Sequence, residues 1–158
     1  DQSLMDYDLQ LENYIKNNLG IKDYKINFTE KGAIPLFHPL NKNNEKTVYI
    51  GSAGGMTRLS TGYTFLNIQE HSKYIVENID KIEKIKMYNI GKKYQFLDKI
   101  FLRVLKNNPD KMPKIFFEMF KASSSCVIKF LSNKSNIFED INIIGRMPKL
   151  IFMRALFQ

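Results

Sequence analysis

Residues 48–69 read VYIGSAGGMTRLSTGYTFLNIQ. Val48-Tyr49-Ile50 is a short β-branched and aromatic run, Gly51 to Ser60 is a glycine-punctuated loop, and from Thr61 the spacing turns helical. The stretch reads as a strand feeding a loop that opens a helix. Gly51, Gly54 and Gly55 remove side chains where backbone must turn sharply or meet a ligand closely. Ser60 or Thr61 is the expected N-cap, with backbone donors open behind it, and such a helix mouth favours an anion. No G-x-x-x-x-G-K-[ST] and no G-x-G-x-x-G occurs in the chain, which excludes a triphosphate P-loop and the first half of a dinucleotide site. On spacing alone, a structural turn and a ligand loop stay equally open.

Upstream, Tyr7, Leu11, Tyr14 and Ile15 share one face of a helix over Asp6–Asn18 that ends at Gly20. Tyr24, Ile26 and Phe28 then alternate with polar residues, the period of a half-buried strand, and Glu30-Lys31-Gly32 turns the chain. Residues 33–37 follow as a second extended piece, with Pro35 suited to an edge or a strand exit. Residues 1–47 are thus a helix plus a β-hairpin.

Residues 48–85 hold the strand, the loop and a long helix from Thr61 to Ile82 or Lys84. Its buried stripe is expected to comprise Phe65, Ile68, His71, Ser72, Ile75, Val76 and Ile79. His71 on that stripe reads as a packed histidine before a catalytic one. Residues 86–158 are helical, near Tyr94–Lys106, Asp110–Ala122, Ser124–Leu131, Ile137–Gly145 and Pro148–Phe157, with Pro109, Pro113 and Pro148 at helix starts. The fold class is α/β, or α+β within these residues taken alone.

The chain has 158 residues, of which 44% are hydrophobic and 13% aromatic, a globular composition. Its 24 Lys and Arg outnumber 16 Asp and Glu, a net charge of +8 that admits an anionic membrane or nucleic acid as partner. The lysines are dispersed rather than patched, so nucleic acid is not expected. One cysteine, Cys126, leaves no internal disulfide, and with His38 and His71 as the sole histidines no metal site is expected. Phe96, Leu97, Ile100, Phe101, Val104 and Leu105, flanked by Lys92, Lys93, Lys99, Arg103 and Lys106, form an amphipathic basic helix. Such a helix rests on a membrane or packs inward, and the spacing serves both.

The string Gly51-Ser52-Ala53-Gly54-Gly55-Met56-Thr57-Arg58-Leu59-Ser60-Thr61-Gly62-Tyr63-Thr64-Phe65 resembles the flavin-facing motif of the lycopene cyclases, which runs close to G-x-A-G-G-M-x-R-P-S-T-G-Y-x-F. Leu59 departs from the family's usual proline, a residue that restricts φ and supplies no chemistry. The likeness extends through Gly32-Ala33-Ile34-Pro35-Leu36 and the lysine-rich helices downstream. It implies the C-terminal part of an FAD-dependent, Rossmann-type flavoprotein with a helical C-terminal region. Residues 1–47 would end a substrate-binding region, and 48–85 would close the FAD domain. The adenosine-binding loop and the family's proposed acid would lie before Asp1, leaving this portion inactive by itself.

The resemblance also implies a reaction. A linear carotenoid such as lycopene is protonated at a terminal double bond, the neighbouring bond attacks the cation, and proton loss leaves an ionone ring, the β ring being the first expectation. This is an intramolecular lyase or isomerase reaction without net redox change, and FAD serves in its reduced form with NADPH as reductant. Gly51, Gly54, Gly55, Met56, Ser60, Thr61, Gly62 and Tyr63 would face the flavin. Ile34, Pro35 and Phe37 would border the substrate, and Glu30 is a candidate proton-transfer residue, although hairpin tips are usually solvated. The enzyme would be cytoplasmic and peripherally membrane-associated. Related FAD-dependent reductases and hydroxylases tend to carry Asp where Ser52 stands, which favours the cyclase. A non-catalytic basic helical module that binds membranes is the alternative of a different class.

Overall fold

A computed structural model describes residues 4–33, 35–39, 43–44 and 46–157. The chain divides into two compact units, Asp1–Ala33 and Ile34–Gln158. In the first, α1 (Leu4–Asn13) runs into a wider π turn over Tyr14–Asn18, and Gly20 follows at φ 68°, the left-handed residue expected at that end. Lys31 donates to Asp8 at 2.8 Å within this unit. The face expected to be buried is not: Tyr7, Leu11 and Tyr14 are all exposed, and Ile15 is half-buried.

The strand expectations are corrected. No strand occurs among the described residues, and their one β-bridge joins Asn44 and Thr47. Tyr24 to Phe28 and Val48 to Ile50 are without regular structure, as are the described residues of 33–37, and Ile50 is extended at φ −123°, ψ 169°. A two-residue period makes a segment able to join a sheet, but a strand exists only when a second segment supplies its ladder. No described segment does so here, and the described chain is mostly helical.

The second unit carries α2 (Phe65–Glu77), α3 (Lys92–Asn107), α4 (Met112–Phe120), α5 (Ser124–Leu131), α6 (Ile137–Arg146) and α7 (Lys149–Leu156). Helix α2 is shorter at both ends than its periodicity suggests. It starts at Phe65 behind Thr64, and it stops at Glu77, after which a 3₁₀ turn over Ile79–Lys84 contains a non-helical Lys81. Phe65, Val76 and Ile79 are exposed, so the buried side of α2 is Asn67 and His71 with half-buried Ile68, Ser72 and Ile75.

The later helices agree with the sequence because their signals are local. Pro109 and Pro113 sit in first turns, where a missing N–H leaves no bond unmade. Asn136 and Glu139 cap α6 reciprocally: the Asn136 side chain accepts from the Glu139 N–H at 3.0 Å, and the Glu139 carboxylate accepts from the Asn136 N–H at 2.8 Å. Helix α3 packs on α7, α4 on α5 and α6, and α5 on α6. Phe101, Val104, Ile115, Met119, Phe130 and Ile143 are central to the core they enclose.

This packing decides the role of α3. Ile100, Phe101, Val104 and Leu105 are buried in the core, so most of the stripe read as a possible membrane face is an interior face, while Phe96 at its start is exposed. Exposed apolar residues occur on α6 at Ile137, Phe138 and Ile141 and on α7 at Leu150 and Met153, and also on other helices, as at Val76 of α2, Phe96 of α3 and Phe117 and Phe120 of α4. Among the described residues, no helix is long and apolar enough to cross a membrane, and no three His, Cys, Asp or Glu side chains converge as a metal site.

Candidate functional site

The loop between Ile50 and Phe65 folds on itself. A 3₁₀ turn spans Gly51–Gly54, and Gly55 takes the left-handed conformation at φ 74°, where a Cβ is strained. Gly54 has a different reason to be glycine: a Cβ there would fall on the Tyr49 carbonyl. The amides then close inward. Gly54 N–H donates to Ile50 O at 3.2 Å, Gly55 N–H to Ser52 O at 3.1 Å, and Met56 N–H to Gly51 O at 3.1 Å. Met56 is fully buried, its sulfur accepting from the Gly51 N–H at 3.3 Å, and its carbonyl accepts from the Asn67 amide at 2.8 Å.

The second half of the loop is built around Arg58. Its guanidinium is fully buried against Asp98 of α3, with Nη2 to Oδ1 at 2.6 Å and Nε to the two oxygens at 3.1 and 3.0 Å. Nη1 donates to the Phe130 carbonyl at 2.5 Å, and the guanidinium carbon lies 4.9 Å from the Tyr94 ring centroid and 5.0 Å from that of Phe130. Asp98 also accepts from the Leu59 N–H at 3.1 Å and the Ser60 hydroxyl at 2.6 Å. A proline at position 59 would have no N–H to give. The buried charges are thus paired and hydrogen-bonded on all sides, as burial demands.

The expected cap is therefore corrected. Ser60 spends its hydroxyl on Asp98, and the Thr61 hydroxyl accepts from the Tyr63 N–H at 3.3 Å. The chain between them turns back on Arg58, whose carbonyl accepts from Thr61 and Gly62, and helix α2 begins four residues later than Thr61. The open amides of its first turn belong to Phe65, Leu66 and Asn67. Serine and threonine are good caps, but a buried carboxylate 38 positions away along the chain competes for the Ser60 hydroxyl and wins.

A third group joins α2 to the loop before α6. Asn133, at φ 62°, donates to Asn67 Oδ1 at 3.4 Å and Tyr88 Oη at 3.1 Å. His71 stacks against Tyr74 and meets Tyr88 edge-on, with centroids 5.5 and 5.7 Å away. Its Nε2 is buried without a partner, and burial holds its pKa below the ordinary histidine value. Burial likewise pushes the Tyr88 phenol up, against the Asn133 hydrogen bond. His71 is packed as expected, but it is not hydrogen-bonded through Nε2.

Two spaces adjoin this framework. A cleft of about 320 Å³ opens on Gly54 and Gly55 and is walled by His38, Pro39, Tyr88 and Gln95. A Cβ at Gly55 would stand 3.6 Å from Pro39, so glycine at this position keeps that part of the cleft open. The Ser60 hydroxyl is engaged with Asp98, and the Thr61, Gly62 and Tyr63 amides are engaged within the loop. The second space is an apolar chamber of about 240 Å³ beside Ser60 and Asp98.

The remaining site expectations divide. Pro35 is half-buried, Phe37 is 66% exposed, and Ile34 lies outside the described residues. Glu30 is exposed in the first unit. Arg58, Asp98, Asn67 and Asn133 were not singled out by sequence reasoning. A charged residue in an otherwise small and hydroxylic loop was the available signal for Arg58. Asp98, the one acid on a basic helix with an apolar stripe, was the signal for its partner.

A family model described as lycopene cyclase protein matches residues 2–157. The chain belongs to the lycopene cyclase family. That match takes in both units and the whole helical region, not only the glycine loop. Membership makes the function carotenoid cyclase-related, with an enzyme's role in carotenoid biosynthesis and a carotenoid substrate. No curated protein and no solved structure matches the chain. In this lycopene cyclase family member, the family's loop is a clamp closed by Arg58 and Asp98, with one glycine face turned to a cleft.

Proposed function

We propose that these residues supply the flavin-facing loop and the helical region of a lycopene β-cyclase, a Rossmann-type FAD enzyme that closes the ends of lycopene into ionone rings without net redox change. The observation that carries this reading is the match over residues 2–157 together with a loop whose Gly54 and Gly55 border an open cleft. FAD, reduced at the expense of NADPH, would meet the chain at that pair. When bound, the reduced flavin supplies negative charge that stabilises a cationic carotenoid.

The chain's own residues have three tasks in this scheme. Gly55 keeps a side chain out of the cleft beside Pro39, and Gly54 lets the turn close against the Tyr49 carbonyl. Arg58 and Asp98 hold the loop to α3, so that the glycine pair cannot drift when substrate enters. The apolar packing around α3 excludes water, which would otherwise trap a carbocation. The exposed apolar rows of α6 and α7 with the surplus of lysine suit a peripheral membrane enzyme on the cytoplasmic side, where a hydrocarbon substrate is dissolved.

The test is expression of the whole enzyme containing these residues in cells that accumulate lycopene, with carotenoids separated by chromatography and flavin measured in the purified protein. Cyclic carotene and bound FAD are the expected results. Lycopene left linear by a folded, flavin-loaded protein would overturn the reading.

A further inference from the structure

The apolar chamber beside the Arg58–Asp98 pair has no role in the scheme above. We propose that it binds the branched terminal unit of a long isoprenoid hydrocarbon. The assignment rests on the carotenoid-cyclase reading and deepens it by giving the second end of the substrate a place.

Size and lining select this ligand. At about 240 Å³ the chamber exceeds the roughly 150 Å³ apolar cavity that takes up benzene, so a methylated six-carbon ring or an open chain of about nine or ten carbons fits. Four phenyl rings line it, those of Phe96, Phe101, Phe130 and Phe152, with aliphatic side chains between them. Only Ser60 and Asp98 are polar there, and the Ser60 proton and the Asp98 oxygens are already committed to the clamp. A polar ligand would lose its hydration and find little to replace it. A hydrocarbon loses nothing.

The mouth argues for a long ligand rather than a small one. Phe96, Ile144 and Leu156 line the chamber and are 56%, 40% and 44% exposed. Ile144 continues the exposed row of Ile137 and Ile141 on α6, and Leu156 continues that of Met153 on α7. Phe96 also borders a cleft reaching His38 and Gln95, and those two residues line the space at Gly54 and Gly55. Clefts that share Phe96, His38 and Gln95 thus lie in succession along the first turns of α3 between the chamber and the glycine loop. An extended polyene with one end in the chamber has a path toward that loop.

The experiment uses the whole enzyme containing these residues and a linear C20 isoprenoid hydrocarbon carrying a diazirine at one end, with light-induced labels mapped by peptide mass spectrometry. Labels on Met147, Phe152 or Leu97 are expected. Ile144→Trp, which puts an indole at the mouth, should lower labelling about tenfold by displacing the buried end group. Leu156→Trp gives the same reading from the other wall if the first variant fails to fold. Labels scattered over exposed surfaces, or a folded Trp variant labelled like the parent protein, would overturn the site. A parent protein that is labelled in the chamber but leaves lycopene linear refutes the cyclase reading and leaves the site standing. Cyclisation without chamber labelling does the reverse.

Discussion

The guanidinium of Arg58 and the carboxylate of Asp98 meet at 2.6 Å with their side chains 0% and 2% exposed, 40 positions apart along the chain. The pair ties a glycine-rich loop to the first half of α3, and the neighbouring Leu59 N–H and Ser60 hydroxyl share the same carboxylate. It follows that the loop's shape depends on a helix that begins some thirty residues downstream of it.

Asp98→Asn leaves a buried guanidinium without its counter-charge. Its cost should be about 3–5 kcal/mol, read from urea unfolding. The pair replaced together, as Arg58→Met with Asp98→Leu, should cost well under the sum of the two single changes, because no charge is then stranded. Additive costs in that cycle would show that the two side chains act independently.

The two glycines at the cleft should fail differently. Gly54→Ala sets a Cβ on the Tyr49 carbonyl and should destabilise the protein by about 1–3 kcal/mol, as overpacking does. Gly55→Val meets only ordinary contacts but demands a β-branched residue at φ 74°, so the protein should fold while losing flavin and cyclised carotene. Gly145→Ala, in open space on α6, should stabilise by about 0.5–1 kcal/mol and serves as the control. Wild-type flavin content and product in Gly55→Val would remove the cofactor from this loop.

His71 should make stability fall in mild acid. Burial holds its folded pKa below the usual 6.5, so the unfolded chain binds the proton more readily. The contribution is complete above that value and is lost as pH falls below it toward the folded pKa. His71→Phe keeps a ring between Tyr74 and Tyr88 and should flatten the dependence between about pH 5 and 7. Urea midpoints across that range decide it. An unchanged slope would place the acid sensitivity elsewhere.

Membrane binding should follow α6 and α7 rather than α3. Ile141→Asp and Leu150→Asp alter exposed residues, so the fold should hold while partition to mixed neutral and anionic vesicles drops about tenfold for each. Sedimentation with vesicles at low and high salt measures it, and salt should release only part of the protein. Equal binding by the variants and the parent would clear these helices of the role.

Among the elements, α4 to α7 were legible because their evidence is local: prolines at helix starts and apolar residues three and four apart. The strands at Tyr24 to Phe28 and Val48 to Ile50 were not, because alternation states what a segment can pair with and not whether a partner exists. The stripe on α3 was read correctly as a stripe, but its two uses, lipid and core, have the same sequence. Only the neighbours of Phe101 and Val104 separate them.

The loop shows the same division at finer grain. By itself, the sequence determined that Gly51 to Tyr63 is a glycine-dependent turn of one family, because left-handed backbone and close approach select glycine residue by residue. Which hydroxyl caps a helix, which amide is open, and what Arg58 does there were decided by tertiary structure alone. A buried charge must find its partner wherever the fold brings one, and Asp98 arrives from a helix with no sequence tie to the loop.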